Sequence, residues 1–287
     1  MTFKILTDST TDLSEKWAAE NDVTILGLTI RLDGVTYETV GENKLTSKVL
    51  LEKMKSGSQP TTSQINVGQF EDVFREYAKA GTPLLYVAFA SLLSGTYQSA
   101  VMARDMVLED YPEAVIEILE SRAASMGEGL LVMKAVEARL EEKTLAETVE
   151  LLLALRPKVQ TYFLVDDLNH LVRGGRISKA AALLGSLASI KPIITVQADG
   201  SLKPIAKVRG KKKAQAECVR MLLENLAEDR VVIAHADADQ EAGNLKAMLL
   251  EDSRVKEVLI EPLGPVIATH VGPGTLALFG FAKNDRD

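Results

Sequence analysis

Short, continuously apolar runs alternate with longer amphipathic segments through the first half of this chain. That alternation restricts the fold more than any other feature. Residues 84–90 and 114–119 are too short for buried helices and apolar on both faces, as strands are when layers cover both sides of a sheet. Between them residues 96–108 keep helical spacing, as do Ser47–Lys55 and Val67–Lys79 before them and residues 125–141 and Leu145–Leu155 after them. The opening fits the same rhythm. Residues 3–6 read as a strand and residues 7–12 as a polar turn. A helix follows over 14–20, with Asp12 or Ser14 as its N-cap, then one strand over 23–31 that turns at Asp33-Gly34 toward Thr36-Tyr37. The expected class is α/β, with a mainly parallel, helix-covered N-terminal sheet.

After Arg156-Pro157 the pattern changes. Strands are expected at 161–165, at 191–196 paired with 201–208 through Ala198-Asp199-Gly200, at 230–234 and at 255–260, with helices after Lys211 and over 240–250. The chain of 287 residues accommodates two ordinary domains. The expected division is 1–158 for an N-terminal α/β domain and 159–287 for a C-terminal α/β domain, with about ten residues of latitude in the boundary.

With 33 basic and 40 acidic residues the net charge is −7, which opposes nonspecific nucleic-acid binding. Cys218 is the single cysteine, so an internal disulfide is excluded and a structural zinc cluster is not expected; its place in a helical apolar pattern suits a buried thiol. The three histidines lack metal-ligand spacing, so no metal site is expected. The first residues run directly into a strand pattern without the features of a signal peptide, and no apolar run reaches the ~18 residues of a membrane span. The expected location is the cytoplasm.

Chemistry-bearing residues gather in three turns: Thr61-Thr62-Ser63-Gln64, Ser94-Gly95-Thr96, and Ala268-Thr269-His270-Val271-Gly272-Pro273-Gly274. The first two read as helix entrances, where hydroxyls cap the helix and unpaired amides attract anions. Capping alone accounts for either. A serine before glycine also invites comparison with a nucleophile elbow, but G-x-S-x-G is absent, since Ser91-Leu92-Leu93 precede Ser94. His270 stands beside a glycine-rich turn that permits close ligand approach. His170 and His235 read as structural. Arg173-Gly174-Gly175-Arg176 offers two guanidinium groups to a carboxylate or phosphate, and Lys203, Lys207, Arg209, Lys211, Lys212 and Lys213 form a second basic stretch. Neutral donors without a strong base suit holding an anion better than breaking a bond.

In their order along the chain, Thr7-Asp8-Ser9, Thr62-Ser63-Gln64, Ser94-Gly95-Thr96, Gly174-Gly175-Arg176-Ile177-Ser178, Lys191-Pro192-Ile193 and the segment from His270 to Gly274 resemble the DegV family. These are bacterial fatty-acid-binding proteins, some of them the lipid-binding subunit of fatty acid kinase. Ile65 departs from the proline common after Thr-Ser-Gln. The resemblance implies a DegV-like fold of two α/β domains with a buried long-chain fatty acid. It places Thr62, Ser94 and His270 at the carboxylate. Ser63, Thr96, Arg173, Arg176 and Arg209 become secondary head-group or partner contacts, with Arg173 and Arg176 nearer the entrance. It implies no cofactor besides the lipid and no catalytic residue.

A dozen buried methylenes would contribute on the order of 10 kcal/mol, at ~0.8 kcal/mol each, so such a ligand calls for a long apolar tunnel more than a charge clamp. The P-loop signature G-x-x-x-x-G-K-[ST] is absent, so phosphoryl chemistry would come from an ATP-dependent kinase partner. The alternatives are a Ser94/His270 hydrolase of acyl substrates using an aspartate such as Asp8, and a lipid-responsive binding module without phosphorylation.

Overall fold

The computed structural model describes residues 3–179 and 190–286. Strands β1 (Lys4–Asp8), β2 (Val23–Leu26), β6 (Leu84–Ala88) and β7 (Ile116–Glu120) form a parallel sheet in the order β2-β1-β6-β7. All five residues of β6 are buried. The sheet is accompanied by α1 (Glu15–Glu20), α3 (Val67–Lys79), α4 (Thr96–Asp110), α5 (Met126–Leu140) and α6 (Leu145–Leu155), with α2 (Ser47–Lys55) preceding α3 in the chain. Ser14 caps α1 by accepting from the Trp17 amide, and Thr144 closes a capping box with Glu147 on α6.

The strand expected over 23–31 is two strands. Residues 27 and 28 separate β2 from β3 (Thr29–Leu32), which joins β4 (Val35–Glu38) and β5 (Thr61–Ser63) in a small antiparallel sheet ordered β4-β3-β5. Ser9 enforces the break: its hydroxyl accepts from the Leu28 amide at 3.0 Å and lies 2.9 Å from Thr39 Oγ1, which donates to the Leu28 carbonyl, diverting the chain from the parallel sheet.

From Val159 onward the strands belong to a six-stranded mixed sheet ordered β10-β9-β8-β13-β11-β12. Its members are β8 (Val159–Leu164), β9 (Ile190–Val196), β10 (Leu202–Arg209), β11 (Arg230–His235), β12 (Glu257–Pro262) and β13 (Leu276–Phe281). One face carries α8 (Lys211–Glu224) and α9 (Asp239–Leu250), and Cys218 is 2% exposed in that layer, its thiol pushed up to about 12 by burial. The other face, with Phe163, Ile194, Ala277 and Phe279, merges into one core with the parallel-sheet half. On edge strand β10 the outward Lys203, Lys207 and Arg209 alternate with half-buried residues, blunting the open edge with charge. Among the described residues α7 (Asn169–Arg173) and α10 (Pro265–Val271) are short α-helices, and α10 packs on both α2 and α7. No helix among the described residues is long and apolar enough to cross a membrane.

Candidate functional site

Thr62 is the middle residue of β5, opposite Ile30 of β3. Strand alternation leaves Thr61 and Ser63 exposed and turns Thr62 inward. These hydroxyls therefore do not stand at a helix entrance as expected. The N-cap of α3 is Asn66, in a capping box with Gln69, and the residues before it are taken up by the open edge of β3. Ser94 does lie at the mouth of α4. Its Oγ accepts from the Thr96 amide at 3.3 Å and lies 2.9 Å from Thr96 Oγ1.

His270 sits in the last turn of α10 rather than in an open turn. Pro265 occupies the start of that helix, where its missing amide costs nothing, and Gly272 at φ 78° ends it. The proline–glycine bracket was the sequence signal for this helix.

Four polar side chains, Thr62, Ser94, Arg176 and His270, line one cavity, gathered at one end by the Thr62–His270 contact and the Arg176 bond to the Leu93 carbonyl beside Ser94. The rest of the wall is mainly apolar, from Leu28, Phe89, Leu93 and Ala124 in the first half of the chain to Phe163, Val266, Ile267 and Phe279 in the second.

His270 Nε2 is 2.8 Å from Thr62 Oγ1. Burial, with the Arg176 charge adding to it, lowers the imidazole to about 4, so it is neutral at neutral pH. Gly174 makes this packing feasible, since a Cβ there would lie 2.4 Å from His270 Nδ1. Arg176 donates from Nε to the Leu93 carbonyl at 3.0 Å and from Nη1 to the Gly174 carbonyl. Among the described residues no carboxylate comes within ion-pair distance of it, and burial lowers its pKa. The resemblance puts Arg176 nearer the entrance; the structure sets this half-buried, unneutralised cation in the cavity wall beside His270.

Thr62, Arg176 and His270 also line a polar outer cleft with Gln59, Thr61, His170 and Arg173. Arg173 is exposed there, and its Nη2 lies 2.8 Å from His170 Nδ1. The remaining expected contacts are not brought to the cavity. Ser63 is exposed, Thr96 is fully buried against Ser94, and Arg209 lies on the outer strand β10.

A Ser94–His270–Asp8 relay is not assembled. His270 bonds to Thr62, Ser94 bonds to Thr96, and Asp8 accepts from Tyr86 at 2.7 Å and from Thr10. Asp8 belongs instead to a buried acid cluster with Asp12 and Glu128, each raised by desolvation. Thr10 Oγ1 lies 2.5 Å from Asp8 Oδ1 and 2.8 Å from Glu128 Oε2. A hydroxyl carries one hydrogen, so one of these carboxyls must itself donate. Asp8 has the Tyr86 hydroxyl and the Thr10 and Phe89 amides to hold its charge, which leaves Glu128 as the neutral acid. Asp12 Oδ2 accepts from Ser125 Oγ at 2.5 Å, and Ser125 lines the cavity. Sequence reading missed Ser125, because a serine ahead of a helix reads as a cap. Among the described residues no group of histidine, cysteine, aspartate and glutamate could hold a metal ion.

The fold and site together define a class: two α/β units closed over one apolar cavity whose end carries hydroxyls, an imidazole and a guanidinium. The chain belongs to the DegV family, whose profile, described as an uncharacterised protein family, matches residues 2–283. A DegV domain-containing protein of Streptococcus pyogenes serotype M1 is 54% identical over 100% of both chains. Among solved structures, a DegV family protein from Thermus thermophilus described by its fatty acid binding superposes with a TM-score of 0.88 at 31% identity, over 98% of this chain and 100% of that one. A stearic-acid-binding protein from Eubacterium ventriosum gives a TM-score of 0.89 at 27% identity, over 98% of each chain.

Proposed function

We propose that the cavity holds a long-chain fatty acid, with its carboxylate at Thr62, Ser94, His270 and Arg176 and its chain along the apolar wall. The observation that carries this reading is the unneutralised guanidinium of Arg176 at one end of a mainly apolar cavity. A carboxylate supplies the missing charge, and a hydrocarbon chain supplies what the rest of the wall solvates. The fatty acids named with the Thermus thermophilus and Eubacterium ventriosum proteins support the same reading.

We further propose that the protein is a carrier for a separate ATP-dependent kinase, which phosphorylates the bound carboxylate. Support comes from the outer cleft, which shares Thr62, Arg176 and His270 with the cavity. An acyl phosphate forming there would meet the guanidinium groups of Arg173 and Arg176. On this reading the domain divide lies near residue 158, between α6 and β8.

Mass spectrometry of protein purified under native conditions should release a long-chain fatty acid. Thr62→Ala, Ser94→Ala and Arg176→Met should each weaken rebinding, and Arg176→Met should abolish discrimination between the acid and its methyl ester. An empty protein that takes up no fatty acid, or variants with unchanged affinity, would refute the assignment.

A further inference from the structure

One hydroxyl in the cavity wall, away from the polar end, has nothing to bond. Thr161 on β8 is 3% exposed and lines the cavity, and its Oγ1 finds no hydrogen-bond partner. Val159 and Phe163 flank it two residues away on the same strand face, and Phe279 lies directly across on β13. A valine would fill this place in keeping with those neighbours. A buried hydroxyl left unpaired is costly, so its partner is to be sought in whatever fills the cavity.

A second feature points to the same spot. The N-terminus of the 15-residue helix α5 stands over Thr161, with Gly127 presenting no side chain; a Cβ there would come within 3.3 Å of Thr161 Oγ1. The positive end of a helix favours an electron-rich atom. The N-cap residue Ser125 also lines the cavity, and its hydroxyl turns away from the helix to Asp12. Asp12 abuts Gly264, just before α10, whose other end carries His270. Six residues at 1.5 Å each separate Gly264 from His270 by ~9 Å. The Ser125 side of this patch therefore lies by the Gly264 end of α10, opposite the end that carries His270.

We propose that the preferred ligand is a long-chain acid bearing an oxygen in mid-chain, as a hydroxyl or keto group, which accepts a hydrogen bond from Thr161 Oγ1 beneath the start of α5. This rests on the reading of the cavity as a fatty-acid site. An unsubstituted chain leaves the Thr161 hydroxyl unsatisfied; an oxygenated chain pairs it, and the same bond offsets the desolvation of the ligand oxygen.

The test is displacement of a fluorescent fatty acid by octadecanoic acid and by a series of hydroxyoctadecanoic acids with the hydroxyl walked along mid-chain. At least one isomer should bind the wild-type protein about fivefold to tenfold more tightly than the unsubstituted acid. Thr161→Val should lose that margin while keeping its affinity for octadecanoic acid, which also reports an intact cavity, and Thr161→Ser should retain it. The proposal is overturned if every hydroxy acid binds more weakly than octadecanoic acid, or if the margin survives in Thr161→Val; a buried water satisfying Thr161 gives the first result. Failure of both kinds of acid to bind overturns the fatty-acid reading itself.

Discussion

Asp12 makes the stability of this protein fall as pH rises toward neutrality, and Asp12→Asn should remove that dependence. Burial raises the Asp12 carboxyl from 3.8 to about 7, against the lowering effect of the Ser125 hydroxyl and the nearby Gly264 amide. The folded protein keeps a proton that the unfolded chain releases near 3.8, so this contribution is intact below that pH and is lost up to the folded value. A shift of about three units at 1.36 kcal/mol each corresponds to about 4 kcal/mol across the whole window. Asparagine cannot ionise, and it tolerates the left-handed backbone that Asp12 adopts at φ 58°. It also keeps an oxygen for Ser125. Urea unfolding of both proteins gives the stability difference at each pH. That difference should move in favour of Asp12→Asn by about 2 kcal/mol between about pH 5 and about pH 7. Asp8 and Glu128 are present in both proteins, so their titration largely cancels. A difference that stays flat, or that favours the wild type as pH rises, would show that Asp12 is ionised in the fold at much lower pH.

Two further substitutions probe the site and the acid cluster. Gly174→Ala places a methyl 2.4 Å from His270 Nδ1 and should displace the imidazole from Thr62. A roughly tenfold loss of fatty-acid affinity by titration is expected, equivalent to ~1.4 kcal/mol, and unchanged affinity would mean that His270 does not hold the ligand. Glu128→Gln preserves the donor that Thr10 Oγ1 requires, so its stability in urea should stay within about 1 kcal/mol of wild type near neutral pH, whereas Asp8→Asn, which removes an ionised acceptor of four donors, should cost about 2–3 kcal/mol. The reverse ranking would place the proton on Asp8.

The parallel sheet was legible because β6 is buried along its whole length and because the helices around it keep a clear period. Local pattern did not reveal where hydroxyl-bearing segments dock. Thr61–Ser63 has the composition of a helix entrance and becomes a strand only because β3 leaves an edge beside it. Nor did it reveal that residues 23–31 divide, since the cause is a hydrogen bond from the Leu28 amide to Ser9, nineteen residues earlier. The site was legible in part for the same reason. Thr62 and His270 are 208 residues apart and meet through packing of α10 against the small sheet. The resemblance to a known family named the pair; periodicity could not have joined them. Arg176 was visible as a donor, but its loss of solvent depends on the Leu93 and Gly174 carbonyls that hold it. Thr161 and Ser125 carried no sequence signal, because an unpaired hydroxyl is a property of the packed interior.

The acid cluster and the cavity are linked through charge. Three buried carboxyls lie behind the wall that Ser125 closes, and fully ionised they would oppose an anionic ligand. The hydrogen count at Thr10 removes one of those charges, and burial keeps Asp12 partly protonated near pH 7. Asp8, the member that stays ionised, is 0% exposed and engaged with Tyr86, Thr10 and Phe89. With His270 neutral, Arg176 is then the charged side chain in the cavity wall. The attraction for a carboxylate comes from one guanidinium whose field is not cancelled from behind. On the proposed reading, such a site holds a fatty acid by its chain and orients it by the charge of Arg176, with the carboxylate beside the outer cleft.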